Sequence, residues 1–76
     1  MSKLAPVDWK TLVRVFELDG FENDRQGGSH IVMVKPGIKR PVIIPTYDEI
    51  GKDIIMSNMR TAGMSRKRYF ELLSKV

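Results

Sequence analysis

The chain contains a single histidine, His30, set between Arg25-Gln26-Gly27-Gly28-Ser29 and Ile31-Val32-Met33-Val34-Lys35. Imidazole is the one side chain whose unperturbed pKa lies near neutrality, so it can accept or deliver a proton under physiological conditions. The glycines before it remove side-chain bulk and permit backbone angles closed to other residues, which lets another chain come close to Ser29 and His30. A reaction that suits one imidazole without a metal is internal cleavage of RNA. There the 2′-hydroxyl of the substrate attacks its own phosphorus, one proton must leave and another must reach the 5′-oxygen. Cations stabilise the charge that builds on phosphorus. Arg25 before the glycines, Lys35 at the end of the apolar run, and Lys39 and Arg40 beside the next turn are the candidates. Tyr47 can orient a phosphate or stack on a base. Against this stands a structural reading, in which His30 is an ordinary strand residue, Gly28-Ser29 an ordinary loop, and Lys39 and Arg40 solvated charges.

Other chemistries lack their parts. With no cysteine and one histidine there is no thiolate or dense transition-metal cluster, and no carboxylate pair is placed to hold magnesium. Gly27-Gly28-Ser29 lacks the lysine and the following helix of a phosphate loop. Neighbouring residues of a strand point to opposite faces, so Ser29 and His30 are not expected to pair as nucleophile and base.

These residues need a frame, and 76 residues allow one small domain, expected to occupy positions 1–76. No apolar run is long enough to span a membrane, and the absence of cysteine suits a cytoplasmic protein. Thirteen Lys and Arg against nine Asp and Glu give a charge of +4, a modest bias toward polyanions. Acids gather between Glu17 and Asp24. Bases gather at Lys35, Lys39 and Arg40, and again at Arg60, Arg66, Lys67 and Arg68. The surface is therefore expected to be two-signed.

After a loose lead-in over residues 1–7, Asp8 is an N-cap, and Trp9, Leu12, Val13 and Phe16 keep the spacing of a helix with one buried stripe. Gly20 ends that helix, with Phe21 folding back onto its last turn. Phe21 to Gln26 predicts a first strand, His30 to Lys35 a second, and Arg40 to Ile44 a third, with Gly27-Gly28 joining the first two. Asp48 is expected to cap a helix running through Ile50, Ile54, Ile55, Met59 and Ala62 to Gly63. Ser65 caps a last helix whose Tyr69, Leu72, Leu73 and Val76 form its apolar stripe. Met56, Met59 and Met64 are expected as core filler. On the second strand His30, Val32 and Val34 share one side and Ile31 and Met33 the other, so both sides carry apolar groups. Either the C-terminal segment covers the second side, or another chain does.

The succession of Gly20-Phe21 after an amphipathic helix, Gly28-Ser29-His30 opening a strand, and Val42-Ile43-Ile44-Pro45 closing a hairpin resembles the HicA (YcfA-like) family of mRNA-interferase toxins, over about residues 8–73. That resemblance implies an α+β fold like the double-stranded-RNA-binding domain: α-β-β-β-α, a three-stranded antiparallel sheet, and here a short additional C-terminal helix. It implies a metal-free endoribonuclease without cofactor, acting on single-stranded mRNA and neutralised by a HicB-type antitoxin. His30 falls at the family's catalytic histidine, with Gly28 and Ser29 around it. Arg25, Lys35, Lys39, Arg40 and Tyr47 are candidate contacts to RNA or to the transition state. The family commonly carries a second histidine two residues after the proline, where this chain has Tyr47, a group too weakly basic at neutral pH to replace it. Two other functions fit the same residues: an RNA-binding module without catalysis, and a protein-interaction domain using its open sheet. Homo-oligomers and toxin–antitoxin hetero-oligomers are both compatible with that sheet.

Overall fold

The computed structural model describes residues 3–76, with the backbone alone at Gln26 and Gly27. Helix α1 (Trp9–Leu18) is followed by strands β1 (Glu22–Gly27), β2 (His30–Val34) and β3 (Val42–Pro45), then helices α2 (Lys52–Ala62) and α3 (Arg66–Leu73). The strands form one antiparallel sheet in the order β1-β2-β3. The expected architecture is therefore present, including the extra terminal helix.

Local chemistry sets the ends of the elements. The Asp8 carboxylate accepts from the backbone N–H and the hydroxyl of Thr11 at the start of α1. The Thr11 hydroxyl bond, ahead of the backbone bonds, holds that carboxyl below the usual aspartate range. At the other end Gly20 N–H donates to the Glu17 carbonyl and Phe21 N–H to the Phe16 carbonyl, the paired bonds of a Schellman motif. Gly20 takes a φ of 98°, which a side chain would oppose. Phe21 thereby folds back so that its ring meets Phe16 edge to face, with centroids 5.4 Å apart.

The helices cover one face of the sheet. Leu12, Val15 and Phe16 of α1, Ile31 and Met33 of β2, Val42 and Ile44 of β3, and Ile55 and Met59 of α2 are buried together. Several expected positions shift. Val15 joins the buried stripe of α1, while Trp9 and Val13 lie at its margin. Asp48 does not cap α2: the helix starts four residues later at Lys52, behind an N-cap Gly51 that offers no side chain, because Ile50 is held outside it by two bonds with Val7. Met56 and Val76 are exposed at 41% each and are not core. Met56 follows buried Ile55 onto the wet side of α2, and Val76 lies beyond the last turn of α3.

Helix α3 packs on α1. Arg68 joins them, its Nε donating to Asp19 at 3.1 Å and its Nη1 to Glu71 at 2.8 Å. The Asp19 bond, then the Glu71 bond, raise the pKa of this guanidinium further. Because α3 turns its apolar side toward α1, the far face of the sheet keeps Val34 and Ile43 exposed. Covering by the C-terminal segment does not occur.

Beneath this packing the Tyr69 hydroxyl is buried without a hydrogen-bond partner among the described residues. Burial pushes its phenol pKa up. A neutral phenol is thus retained in the native state at pH values where the unfolded chain releases its proton, so stability falls as pH rises past the ordinary phenol value of about 10. Tyr69→Phe removes the orphaned hydroxyl and is expected to raise stability by about 1 kcal/mol at neutral pH. Urea melts at pH 7 and pH 10.5 check this. The gain should widen at the higher pH, and a variant less stable than the parent at both would refute it.

Candidate functional site

The site begins with a two-residue turn. Gly27 of β1 pairs with His30 of β2, leaving Gly28 and Ser29 as the loop. Gly28 adopts φ 55° and Ser29 a negative φ, the pattern of a type II′ turn with glycine first. The connection is therefore one residue later than expected, with Gly27 inside β1. A Cβ at Gly28 would meet nothing within 4 Å, so this side of the turn is open to an incoming chain.

Because Ser29 belongs to the turn and not to the strand, the alternation of faces does not apply to it. Its Oγ lies 3.1 Å from Nδ1 of His30, a contact that the strand rule had excluded. With the ring held at Nδ1, Nε2 is the free nitrogen. When Nδ1–H donates to Oγ, Nε2 is a base in the neutral ring and an acid in the imidazolium; when Oγ donates to Nδ1, Nε2 carries the one proton of the neutral ring and serves only as a hydrogen-bond donor. His30 itself is exposed.

The third strand locks the turn. His30 lies opposite Pro45, and Thr46 follows with two bonds to the Ser29 carbonyl, from its N–H at 2.9 Å and its Oγ1 at 3.1 Å. In an antiparallel pair hydrogen-bonded positions alternate, so the inward bond at Thr46 turns the missing N–H of Pro45 toward the free edge of β3. Proline costs no ladder bond there. Sequence reasoning missed Thr46. Its signal was the antiparallel register of Val42-Ile43-Ile44-Pro45 against His30-Ile31-Val32-Met33, which sets the residue after Pro45 beside the one before His30.

Tyr47 comes next, 52% exposed, its carbonyl accepting from the Trp9 N–H at 3.1 Å. That bond ties the segment beside the histidine to the start of α1. Arg25 is exposed on β1 opposite Val32, the second residue beyond His30 on the same face. Gly28, Ser29, Thr46, Tyr47 and Arg25 thus lie around His30.

The other cations lie elsewhere. Lys35 follows the far end of β2, with Nζ 3.6 Å from Asp19 and 5.6 Å from the centre of the Phe21 ring. Five residues of extended chain set its backbone about 16 Å from that of His30. Lys39 and Arg40 are exposed in the β2–β3 connection, again at the end remote from the histidine. The structure does not bring these three to His30.

Among the described residues no three His, Asp or Glu side chains converge as a metal site would require. No helix among them is long and apolar enough to cross a membrane. A hollow of about 380 Å³ between β3 and α2, lined by Ile43, Ile54 and Asn58 among others, contains none of the candidate catalytic or RNA-contacting residues named from the sequence.

The family model described as HicA toxin of bacterial toxin-antitoxin matches residues 9–64, from the start of α1 to just past the end of α2. The chain belongs to the HicA toxin family. The matched span carries the whole sheet, the glycine turn and His30, and leaves α3 outside. No curated protein and no solved structure matches the chain.

Proposed function

We propose that this HicA-family chain is the endoribonuclease of a toxin–antitoxin pair, cleaving single-stranded mRNA without a metal and held inactive by a HicB-type antitoxin. The observation that carries the reading is an exposed imidazole, fixed at Nδ1 by Ser29, at the mouth of an open glycine turn.

In the reaction the 2′-oxygen of the RNA bonds to the adjacent phosphorus and the bond from phosphorus to the 5′-oxygen breaks. The 2′-hydroxyl loses a proton and the leaving 5′-oxygen gains one. His30 performs one of these transfers through Nε2, and water exchanges the other proton. Arg25, on the same face, stands where it can offset charge on phosphorus. Tyr47, exposed beyond Thr46, offers a ring on which a base can stack. The family's second histidine being absent here, its proton transfer falls to solvent, which predicts a slow enzyme.

Val34 and Ile43, at 37% and 47% exposure, continue the face on which His30 stands. An antitoxin that covers this apolar surface would also close the approach to the imidazole, joining inhibition to ordinary hydrophobic docking.

The products test the chemistry. Purified chain incubated with end-labelled single-stranded RNA in excess EDTA should yield 2′,3′-cyclic phosphate and 5′-hydroxyl ends. Intact RNA, or cuts leaving 5′-phosphate and 3′-hydroxyl ends, would overturn the proposal.

A further inference from the structure

A second hollow, of about 270 Å³, opens where the N-terminal lead-in meets the first residues of α2 and α3. It is lined by Lys3, Leu4, Lys52, Met56 and Arg66. Three cations from three separate segments face one space, no carboxylate lines it, and none of the three forms an ion pair among the described residues. Like charges converging on a hollow repel one another unless an anion lies between them. The first turn of α2 adds to the field. Gly51 supplies no capping side chain, so the leading amides of the helix keep their hydrogens for an outside acceptor. Asp53, the one acid of that turn, lines the hollow beside β3 and so faces another way.

The rest of the lining indicates what kind of anion. Leu4 and the half-exposed Met56 form an apolar wall beside the cations, which suits a phosphate carrying a ribose and base better than a bare ion. The hollow is also tied to His30 by a short stretch of chain. Pro45 lies opposite His30, and the seven residues from there to Lys52 span at most about 25 Å. Tyr47 is exposed on that connection. Asp48 and Glu49 are exposed on it too, and repel a phosphate backbone, so favourable contacts are confined to its two ends.

We propose that the hollow framed by Lys3, Lys52 and Arg66 binds a backbone phosphate of the same single-stranded RNA that reaches His30, a few nucleotides from the bond to be cut. This rests on the ribonuclease reading for the identity of the strand. The site anchors the substrate, and the imidazole acts on it.

The test measures binding in the absence of cleavage. Fluorescence anisotropy of a labelled single-stranded RNA is followed with H30A, H30A/K52E and H30A/R66E at several salt concentrations. H30A/K75E, reversing an exposed charge at the C-terminus, is the control. Glutamate in the first turn of a helix suits its dipole, so the reversals should not unfold the chain, and their melting temperatures check this. Each reversal at the hollow should weaken binding roughly tenfold and reduce the salt slope by about 0.7, the loss of one single-strand phosphate contact, while K75E changes neither. Inorganic phosphate titrated into the ¹⁵N-labelled chain should shift the Lys52 and Asp53 amides. Reversal variants that bind RNA as K75E does, or no measurable binding by H30A at low salt, would overturn the proposal. Phosphate shifts with unchanged RNA binding would show a free-anion site and equally overturn it. Failure of the nuclease reading shows separately, as undiminished cleavage by H30A.

Discussion

Replacing His30 by alanine should lower the rate of RNA cleavage by about 10²–10⁴-fold, the usual contribution of one positioned proton-transfer group. Growth inhibition on induced expression should disappear with it. The fold should not change, because the ring is exposed and its side-chain hydrogen bond among the described residues is with Ser29 in the neighbouring turn. Circular dichroism and the melting temperature of H30A should therefore match the parent. Such separation of activity from stability distinguishes a catalytic imidazole from a structural one. Initial rates on labelled RNA measure it, and H30A cutting at the parent rate would remove His30 from the mechanism.

Phe16→Ala is expected to have the opposite profile. Phe16 is fully buried between α1 and the sheet and meets Phe21 edge to face. Truncating a buried phenylalanine costs about 3–5 kcal/mol through lost burial and the void left behind. A chain of this length has a total stability of roughly 4–11 kcal/mol, so this one change removes a large part of it. The damage falls at the corner where α1 hands the chain to β1, the strand that carries one side of the glycine turn. Urea denaturation should show a much lower midpoint with little change in slope. A loss below about 1 kcal/mol would mean that the corner repacks and that Phe16 is not the anchor inferred from its burial.

Helix and strand identity were legible because each is dictated over a few residues. Asp8 and Ser65 accept bonds from amides three positions later, and Gly20 and Gly63 close the helices before them. The alternation of His30-Ile31-Val32-Met33-Val34 divided the faces of β2 correctly, with Ile31 and Met33 inside. Capping at Asp48 was misread because an acid before an apolar run satisfies the same local rule as a cap. What displaced the helix start was the bridge from Val7 to Ile50, between residues 43 positions apart.

The site divides in the same way. A glycine turn delivering a lone histidine to a strand is written in consecutive residues, and so is the resemblance that the family match supports over residues 9–64. Which cations share the histidine's surroundings is not. Lys35 is five residues from His30 in sequence, yet it is held at Asp19 at the other end of β2, whereas Thr46, sixteen residues away, holds the turn through Ser29.

By itself, then, the order of residues determined the element types, the buried face of β2 and the presence of one titratable ring at a hairpin corner, since all of these follow from short-range backbone geometry. Only the tertiary structure decided which distant groups meet: Thr46 with the turn, Lys35 with Asp19, and three cations from distant segments around one hollow. Strand register and the docking of helices set those meetings, and both arise from packing between residues that the chain places far apart.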